Sequence, residues 1–374
     1  MTDLPVTIAD IRKAAKAIAG AVSPTPLIRA ASLCELTGCE VFLKLETLHP
    51  TGSFKERGAL NKLLTLGPAE RAAGVVAMSA GNHAQGVAFH ARRLGIPATI
   101  VMPSGTPFTK IDRTEALGAR VMLRGDGLVE ARQAADDLAR ERGLVPVHPY
   151  DDPAVIAGQG TIALEMLADR PDLDLLLVPV GGGGLVSGIA IAAKALSPDV
   201  EIIGVQSALY PSMYRVLQGL DPGLPTEGTT LAEGIAVKEP GILTRRIVAA
   251  LVGAVRLVTE RQLEGAVEHL IERQKLIVEG AGAAGVAALL AEAERFRGKK
   301  VGIVLTGGNI DARLLASLLM RGLVRGGRLV RLRAELDVVV ETQNRRHVDT
   351  IIDALVAAGF PTRLLSGGEG AEAE

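Results

Sequence analysis

Leu175-Leu-Leu-Val-Pro-Val-Gly-Gly-Gly-Gly-Leu185 runs from a continuous apolar stretch into four glycines and then into a helix-like segment. An apolar run without polar alternation reads as a parallel strand buried on both faces. The same alternation of short apolar runs with longer helical ones extends on both sides. Upstream, Val75-Val-Ala-Met78 precedes a helix near Asn82–Leu94, Ala98-Thr-Ile-Val-Met102 precedes Lys110–Leu117, and Arg120-Val-Met-Leu123 precedes Val129–Arg142. Downstream come Ile202-Ile-Gly-Val205 and Val301-Gly-Ile-Val-Leu305. Strands alternating with helices predict parallel α/β sheets, and two series predict two of them. The turn formers of His148-Pro-Tyr-Asp-Asp-Pro153 mark the hinge between them. The expected organisation is a large domain of residues 1–50 and 153–322, a small inserted domain of 51–152, a C-terminal segment of 323–366 and a disordered tail of 367–374.

Composition narrows the function classes. At 374 residues, 48% hydrophobic and 22% charged, the chain is long enough for two domains with sizeable cores. A net charge of −1 gives no electrostatic reason to expect nucleic acid or an anionic membrane. Trp is absent and aromatic residues are 2% of the chain, so platforms for stacking bases are poorly supplied. Cys34 and Cys39 are too few for a disulfide framework. The N-terminus lacks the basic and apolar regions of a signal peptide, and no run of about 18 apolar residues spans a membrane. A cytoplasmic location is the expectation.

Three stretches carry chemistry. Lys55 lies in Thr51-Gly-Ser-Phe-Lys-Glu-Arg-Gly58, the four glycines lie in Val180-Gly-Gly-Gly-Gly-Leu185, and a hydroxyl lies in Leu305-Thr-Gly-Gly-Asn-Ile310. A lysine to form an imine, a glycine loop to take a phosphate and a hydroxyl to meet a ring nitrogen are the parts that hold pyridoxal 5'-phosphate. Such a lysine turns an aldehyde cofactor into an electron sink. Successive N–H groups at a helix N-terminus favour an anion. A dinucleotide fold fails on spacing, because Val186 and Ser187 stand where the third glycine is required and the next strand reaches Gln206 rather than an acid. A Walker loop fails for want of a lysine after the glycines.

Ser53-Phe-Lys-Glu-Arg-Gly58, Ser79-Ala-Gly-Asn-His-Ala-Gln-Gly86, Val155-Ile-Ala-Gly-Gln-Gly-Thr-Ile162, Pro179-Val-Gly-Gly-Gly-Gly-Leu185, Val278-Glu-Gly-Ala-Gly282 and Thr306-Gly-Gly-Asn-Ile-Asp311 together resemble the serine/threonine dehydratases. These are fold-type II pyridoxal-phosphate enzymes, and the resemblance is nearest to the threonine ammonia-lyases, over residues 5 to 322. It implies that Lys55 holds the cofactor and later moves protons, that Phe54 packs on the ring, and that Asn82 donates to its 3′-oxygen. Gly181, Gly182, Gly183 and Gly184, with Leu185, would bind the phosphate. Ser79, Ala80, Gly81, Asn82 and His83 form the segment that grips the substrate carboxylate. Gly234 would offer a carbonyl near the amine, Glu279 would lie near the site, and Thr306 would face the pyridine nitrogen. The implied substrate is a small hydroxy amino acid, threonine giving 2-oxobutanoate and serine giving pyruvate, and the implied assembly is a homodimer or homotetramer.

Three departures from the family pattern matter. Thr306 replaces the usual Ser or Cys; a neutral hydroxyl does not keep the ring nitrogen protonated as a carboxylate would, which favours prompt loss of a β-leaving group over transamination. Ala80 stands where related serine racemases carry the serine that works opposite the lysine, and alanine moves no proton. Gln206 stands where some relatives place a carboxylate for a divalent metal, and hard cations want charged oxygen ligands, so no metal is expected.

Arg328–Leu365 resembles an ACT domain, a βαββαβ unit, with its first helix and second strand missing; this leaves less than the roughly 40 residues at which a domain folds without help. Within enzymes the rivals are a 3-hydroxyaspartate ammonia-lyase and a β-replacement enzyme such as a cysteine synthase. Outside enzymes the rival is an amino-acid sensor that kept the fold.

Overall fold

The computed structural model describes residues 4–223, 228–333 and 337–365; the expected tail at 367–374 lies outside them. The chain divides into two compact units, Met1–Asn309 and Ile310–Glu374. In chain order the first unit carries β1 (Leu27–Arg29), β2 (Glu40–Leu45), β3 (Val75–Met78), β4 (Ala98–Met102), β5 (Arg120–Leu123), β6 (Val145–Pro146), β7 (Leu175–Pro179), β8 (Glu201–Ser207), β9 (Ala254–Val258) and β10 (Lys300–Leu305).

Two sheets result. One has the order β5-β4-β3-β6 and is parallel throughout. The other has the order β1-β2-β10-β7-β8-β9, parallel except for the edge strand β1, which runs antiparallel to β2. Every residue of β7 is buried, as its uninterrupted apolar run requires. The centre of this sheet is filled by Leu176, Val178, Ile202 and Val304, with Ile156, Ile162, Val186 and Ile189 from the helices against it.

Small residues set where the site-bearing helices lie. The helix Lys55–Leu64 crosses Pro153–Asp169 at Gly58 and Gly158: a Cβ on Gly158 would fall 2.6 Å from Gly58 Cα and 2.7 Å from the Arg57 carbonyl. The helix Gly184–Leu196 meets Pro153–Asp169 at Gly188, where a Cβ would fall 2.3 Å from the Ile156 carbonyl. An added methyl at such a crossing costs roughly 1–3 kcal/mol. Helix Pro153–Asp169 is thus the shared surface that fixes Lys55, at the start of one helix, relative to the glycine loop, at the start of another.

The second unit holds the helix Ala312–Arg325 and β11 (Leu329–Arg333), β12 (Asp337–Glu341) and β13 (Arg363–Leu365), in an antiparallel sheet of order β12-β11-β13. Helix Arg345–Ala357 covers one face, where Val330, Leu332 and Val348 are buried together.

Candidate active site

Lys55 begins a helix immediately after a tight, over-determined turn. The Thr51 N–H donates to Glu56 Oε1 (2.6 Å), and the Phe54 N–H donates to the Thr306 carbonyl (3.0 Å). An isolated bridge joins Ser53 to Gly307. The end of β10 and the start of the lysine helix are therefore one construction, which places Thr306, itself 3% exposed, beside Phe54 and Lys55. Lys55 Nζ donates to the Pro149 carbonyl (2.7 Å) and lies 5.1 Å from the centroid of the Phe54 ring. Removal from water lowers its pKa to about 8, against an opposing pull from the Glu279 carboxylate.

The glycine loop explains its composition by crowding. A Cβ on Gly181 would fall 3.1 Å from Ile235 Cα, on Gly182 2.3 Å from the Tyr150 ring, on Gly183 2.7 Å from Met213 Cε, and on Gly184 2.8 Å from the Tyr150 carbonyl. Gly183 also has φ of +99°, which L side chains rarely adopt. The loop's carbonyls are used: Gly182 accepts from the Thr244 hydroxyl (2.6 Å) and the Gly241 N–H (3.2 Å), and Gly183 accepts from the Ser187 N–H (3.0 Å). Among the described residues the N–H groups of Gly181, Gly182 and Gly183 find no acceptor. Unpaired donors at the start of the 13-residue helix Gly184–Leu196 suit a phosphate. Leu185, 6% exposed, belongs to the core beneath the loop.

A second helix N-terminus faces the same lysine. Helix Asn82–Leu94 packs so closely on Lys55 that a Cβ on Gly86 would fall 3.2 Å from the Lys55 carbonyl. Its lead-in is Ser79-Ala80-Gly81, with the Gly81 N–H donating to Ser79 Oγ (3.2 Å). The His83 ring is buried and its Nε2 contacts the Val147 carbonyl (2.8 Å). Burial and the nearby Lys55 lower its pKa to about 3, so the ring is neutral and its Nε2–H donates. Among the described residues His83 keeps its backbone N–H free, and the Nδ1 of its buried imidazole has no hydrogen-bond partner.

Asn82, Glu279 and Asn309 form a connected polar group. Asn82 Nδ2 donates to Glu279 Oε1 (2.7 Å), while Asn309 Nδ2 donates to Asn82 Oδ1 (2.8 Å) and to the Thr51 carbonyl (2.7 Å). Burial pushes the Glu279 pKa up to about 7, with the Asn82 hydrogen bond opposing. A Cβ on Gly307 would fall 2.7 Å from Glu279 Oε1, and one on Gly234 would fall 3.3 Å from it, so both are glycine where this carboxyl is closest. Gly234 is further fixed by the segment before it: Glu260 accepts from the Thr230 hydroxyl (2.7 Å), the Leu231 N–H (2.7 Å) and the Ser207 hydroxyl (3.1 Å). Glu233, its neighbour, pairs with Lys110 (2.6 Å) and so ties this segment to the helix Phe108–Ala116.

The site residues singled out from the sequence all fall in the first unit: Phe54 meets Thr306, Asn82 meets Glu279, and Gly234 lies against Glu279, while the glycine loop meets Tyr150 beside the Pro149 carbonyl that receives Lys55. Asn309 is not among them, although it stands in the Thr306–Asp311 motif; its position two residues after Gly307 was the available signal. Tyr150 and Asp151 belong to the stretch that the sequence marks only as a hinge. Gln206, the residue in the metal position, is buried with its Oε1 accepting from the Tyr214 N–H (2.9 Å).

A nucleophilic lysine, a cradle of unpaired N–H groups behind four glycines and a buried threonine at the strand end fit an aldehyde cofactor with a phosphate. The profile of the family described as "Pyridoxal-phosphate dependent enzyme" matches residues 18–307, and the chain belongs to that family. Its cofactor is pyridoxal 5'-phosphate, and its fold is that of the fold-type II enzymes. An L-threonine ammonia-lyase of Thermotoga maritima is 42% identical over 96% of this chain and 100% of its own length. One of Geobacter sulfurreducens is 47% identical over 89% of this chain and 83% of its own. Among solved structures, a threonine deaminase from T.th. is 39% identical with a TM-score of 0.77, covering 82% of this chain and 99% of its own. A maize serine racemase is 32% identical with a TM-score of 0.79, covering 86% and 98%.

Proposed function

We propose that this protein is an L-threonine ammonia-lyase, converting L-threonine to 2-oxobutanoate and ammonia, with L-serine to pyruvate as a slower reaction. The observation that carries the reading is that Lys55 lies against the helix Asn82–Leu94 at Gly86 and donates to Pro149, whose neighbour Tyr150 packs on the glycine loop that opens the helix Gly184–Leu196. The N-terminus of the latter helix suits a phosphate and that of the former a substrate carboxylate. The relatives at 42% and 47% identity support the same reaction.

Bound pyridoxal phosphate supplies the electron sink that makes the substrate's α-proton acidic and lets the β-hydroxyl depart. Lys55 would hold the cofactor and would be the group that takes the α-proton; in the cofactor-free protein burial already lowers its amine to about 8. Gly181–Gly184 and Leu185 would hold the phosphate, Phe54 would support the ring, and Asn82 would serve its 3′-oxygen with the N–H that Glu279 does not use. Thr306 would offer the ring nitrogen a neutral hydroxyl. Ser79, Ala80, Gly81, Asn82 and His83 would orient the carboxylate, the Gly234 carbonyl would serve the amine, and Glu279 would lie near the site. Lys110 and Glu233 tie together two segments that flank the site; with both side chains partly in water, the pair contributes at most about 1 kcal/mol. The small inserted domain of 51–152, the ACT-like character of 323–366, a homodimeric or homotetrameric state and a cytoplasmic location belong to the same proposal; no helix among the described residues is long and apolar enough to cross a membrane.

The test is 2-oxo acid release from L-threonine, L-serine and threo-3-hydroxyaspartate with pyridoxal phosphate present. Threonine should be turned over fastest. Turnover of hydroxyaspartate alone would replace the substrate while keeping the chemistry, and silence on all three from protein that has captured its cofactor would overturn the reaction. Because Ala80 offers no proton opposite Lys55, L-serine should yield pyruvate without D-serine. Chiral chromatography of the reaction checks this, and D-serine accumulating at a rate comparable to pyruvate would count against the role given to Ala80.

A further inference from the structure

Residues 149–151 touch Lys55, the glycine loop and the helix Ile242–Leu251, yet none of them is explained by the chemistry above. The Pro149 carbonyl receives Lys55 Nζ (2.7 Å). The Tyr150 ring lies where a side chain on Gly182 would be, and its backbone lies against Gly184. The Asp151 carboxylate reaches the first turn of the helix Ile242–Leu251: Oδ2 accepts from the Ile242 N–H (2.9 Å), and Oδ1 accepts from the N–H groups of Leu243 (2.9 Å) and Thr244 (3.2 Å). That helix returns to the glycine loop through Thr244 Oγ1, which donates to the Gly182 carbonyl (2.6 Å), and through the Gly241 N–H (3.2 Å). Gly241 itself cannot be larger, since a Cβ there would lie 2.2 Å from Asp151 Oδ1.

We propose that Asp151 is the positioning residue of the phosphate cradle: by capping helix Ile242–Leu251 from outside that helix, it clamps Tyr150 and Thr244 on the glycine loop and so aims the loop's N–H groups at the cofactor phosphate. Three of the four backbone donors that a helix leaves unpaired at its start are met by this one carboxylate. Its negative charge also sits at the positive end of the helix. The loop's carbonyl at Gly182 is held from one side by Thr244 and Gly241, and its Cα is pressed from the other by Tyr150. With both sides fixed, the peptide planes of the loop have one orientation and their N–H groups point together without ordering cost when phosphate arrives.

Asp152, one residue on, provides the contrast. It caps a different helix, Pro153–Asp169, through the N–H groups of Ala154 (2.8 Å) and Val155 (3.1 Å), and pairs with Lys62 (2.7 Å).

The test uses the apoprotein and two aldehydes, pyridoxal phosphate and pyridoxal, with capture followed by absorbance. In Asp151→Asn the group facing the Ile242 N–H becomes a donor, and removal of a cap of this kind corresponds to roughly tenfold in an equilibrium constant. Pyridoxal phosphate should therefore bind roughly tenfold more weakly while pyridoxal, which has no phosphate, binds as in the parent protein. Inorganic phosphate should also compete less well with pyridoxal phosphate. Thr244→Val, which removes only the hydroxyl on Gly182, should give the same selective loss, and serves if Asp151→Asn does not fold. Asp152→Asn, whose cap serves the helix that positions Lys55 and the loop together, should not weaken pyridoxal phosphate selectively over pyridoxal. Equal weakening toward both aldehydes would show a general structural effect and overturn the proposal, as would unchanged affinity for pyridoxal phosphate. The inference rests on the cofactor rather than on the substrate, so a failure of threonine turnover would not bear on it.

Discussion

Lys55→Ala should abolish 2-oxo acid release from L-threonine, a fall of at least roughly ten-thousandfold, since the group lost is both the tether of the cofactor and the base. The variant keeps the cradle at Gly181–Gly184, so pyridoxal phosphate should still bind, but reversibly, without the absorbance of lysine-bound cofactor and removable by gel filtration. Retained turnover would sink the assignment. The parent protein offers a companion measurement. Only the neutral amine attacks an aldehyde, and the Lys55 pKa is lowered to about 8. The rate of cofactor capture by apoprotein should therefore rise about tenfold per pH unit below about 8 and flatten above it, whereas an ordinary lysine would keep gaining to beyond pH 10. Glu279→Gln removes the charge that raises Lys55 and should move the break to lower pH. A capture rate that climbs steadily to pH 10 would show that Lys55 is not in the environment described.

Much of the fold was legible because the strands of the parallel sheets are short apolar runs between helical stretches: Val75–Met78, Ala98–Met102 and Arg120–Leu123 carry the same limits in both readings. The strands that escaped have a local reason. Leu27–Arg29 is three residues long and follows a proline-rich lead-in, and Ala254–Val258 carries an arginine at its centre. Glu40–Leu45 contains Lys44, an ammonium that looks like a surface residue but is fully buried. The glycine loop was legible as a loop, yet its reason was only half legible. Free N–H groups could be inferred from four glycines in a row, whereas the side chains that exclude a Cβ, Tyr150, Met213 and Thr244, come from three distant parts of the chain. The same distance hid Asn309 behind Asn82 and Asp151 behind the helix at Ile242. Motifs report what touches the ligand; what holds the motif is set by contacts between residues far apart in sequence.

Arg57→Ala should destabilise the protein by about 3–5 kcal/mol, because it strips the cation from a buried ionic group two residues beyond Lys55. Arg57 is 1% exposed and uses all of its donors: Nε and Nη2 on Glu46 (2.8 and 2.9 Å), Nη1 and Nη2 on Glu165 (2.5 and 2.8 Å), and Nη1 on Thr161 (3.1 Å). Lys44 pairs with the same Glu165 (2.6 Å), and Thr25 and His49 complete Glu46 (2.6 and 2.9 Å). Burial alone would raise the Glu46 pKa, but Arg57 and His49 hold it well below the usual carboxylate range. In the parent protein that contribution is present above the unfolded value of about 4.5 and is lost only as pH falls toward the depressed folded value. Without Arg57 the burial is unopposed, the folded-state pKa rises above its unfolded value, and stability is lost as pH rises through it. The deficit of Arg57→Ala relative to the parent should therefore be smallest near pH 5 and widest at pH 8, as read from denaturant midpoints at the two pH values. Arg57→Lys keeps a charge but not the five-donor fork and should fall between them. A deficit independent of pH would mean that Glu46 does not depend on Arg57 for its charge.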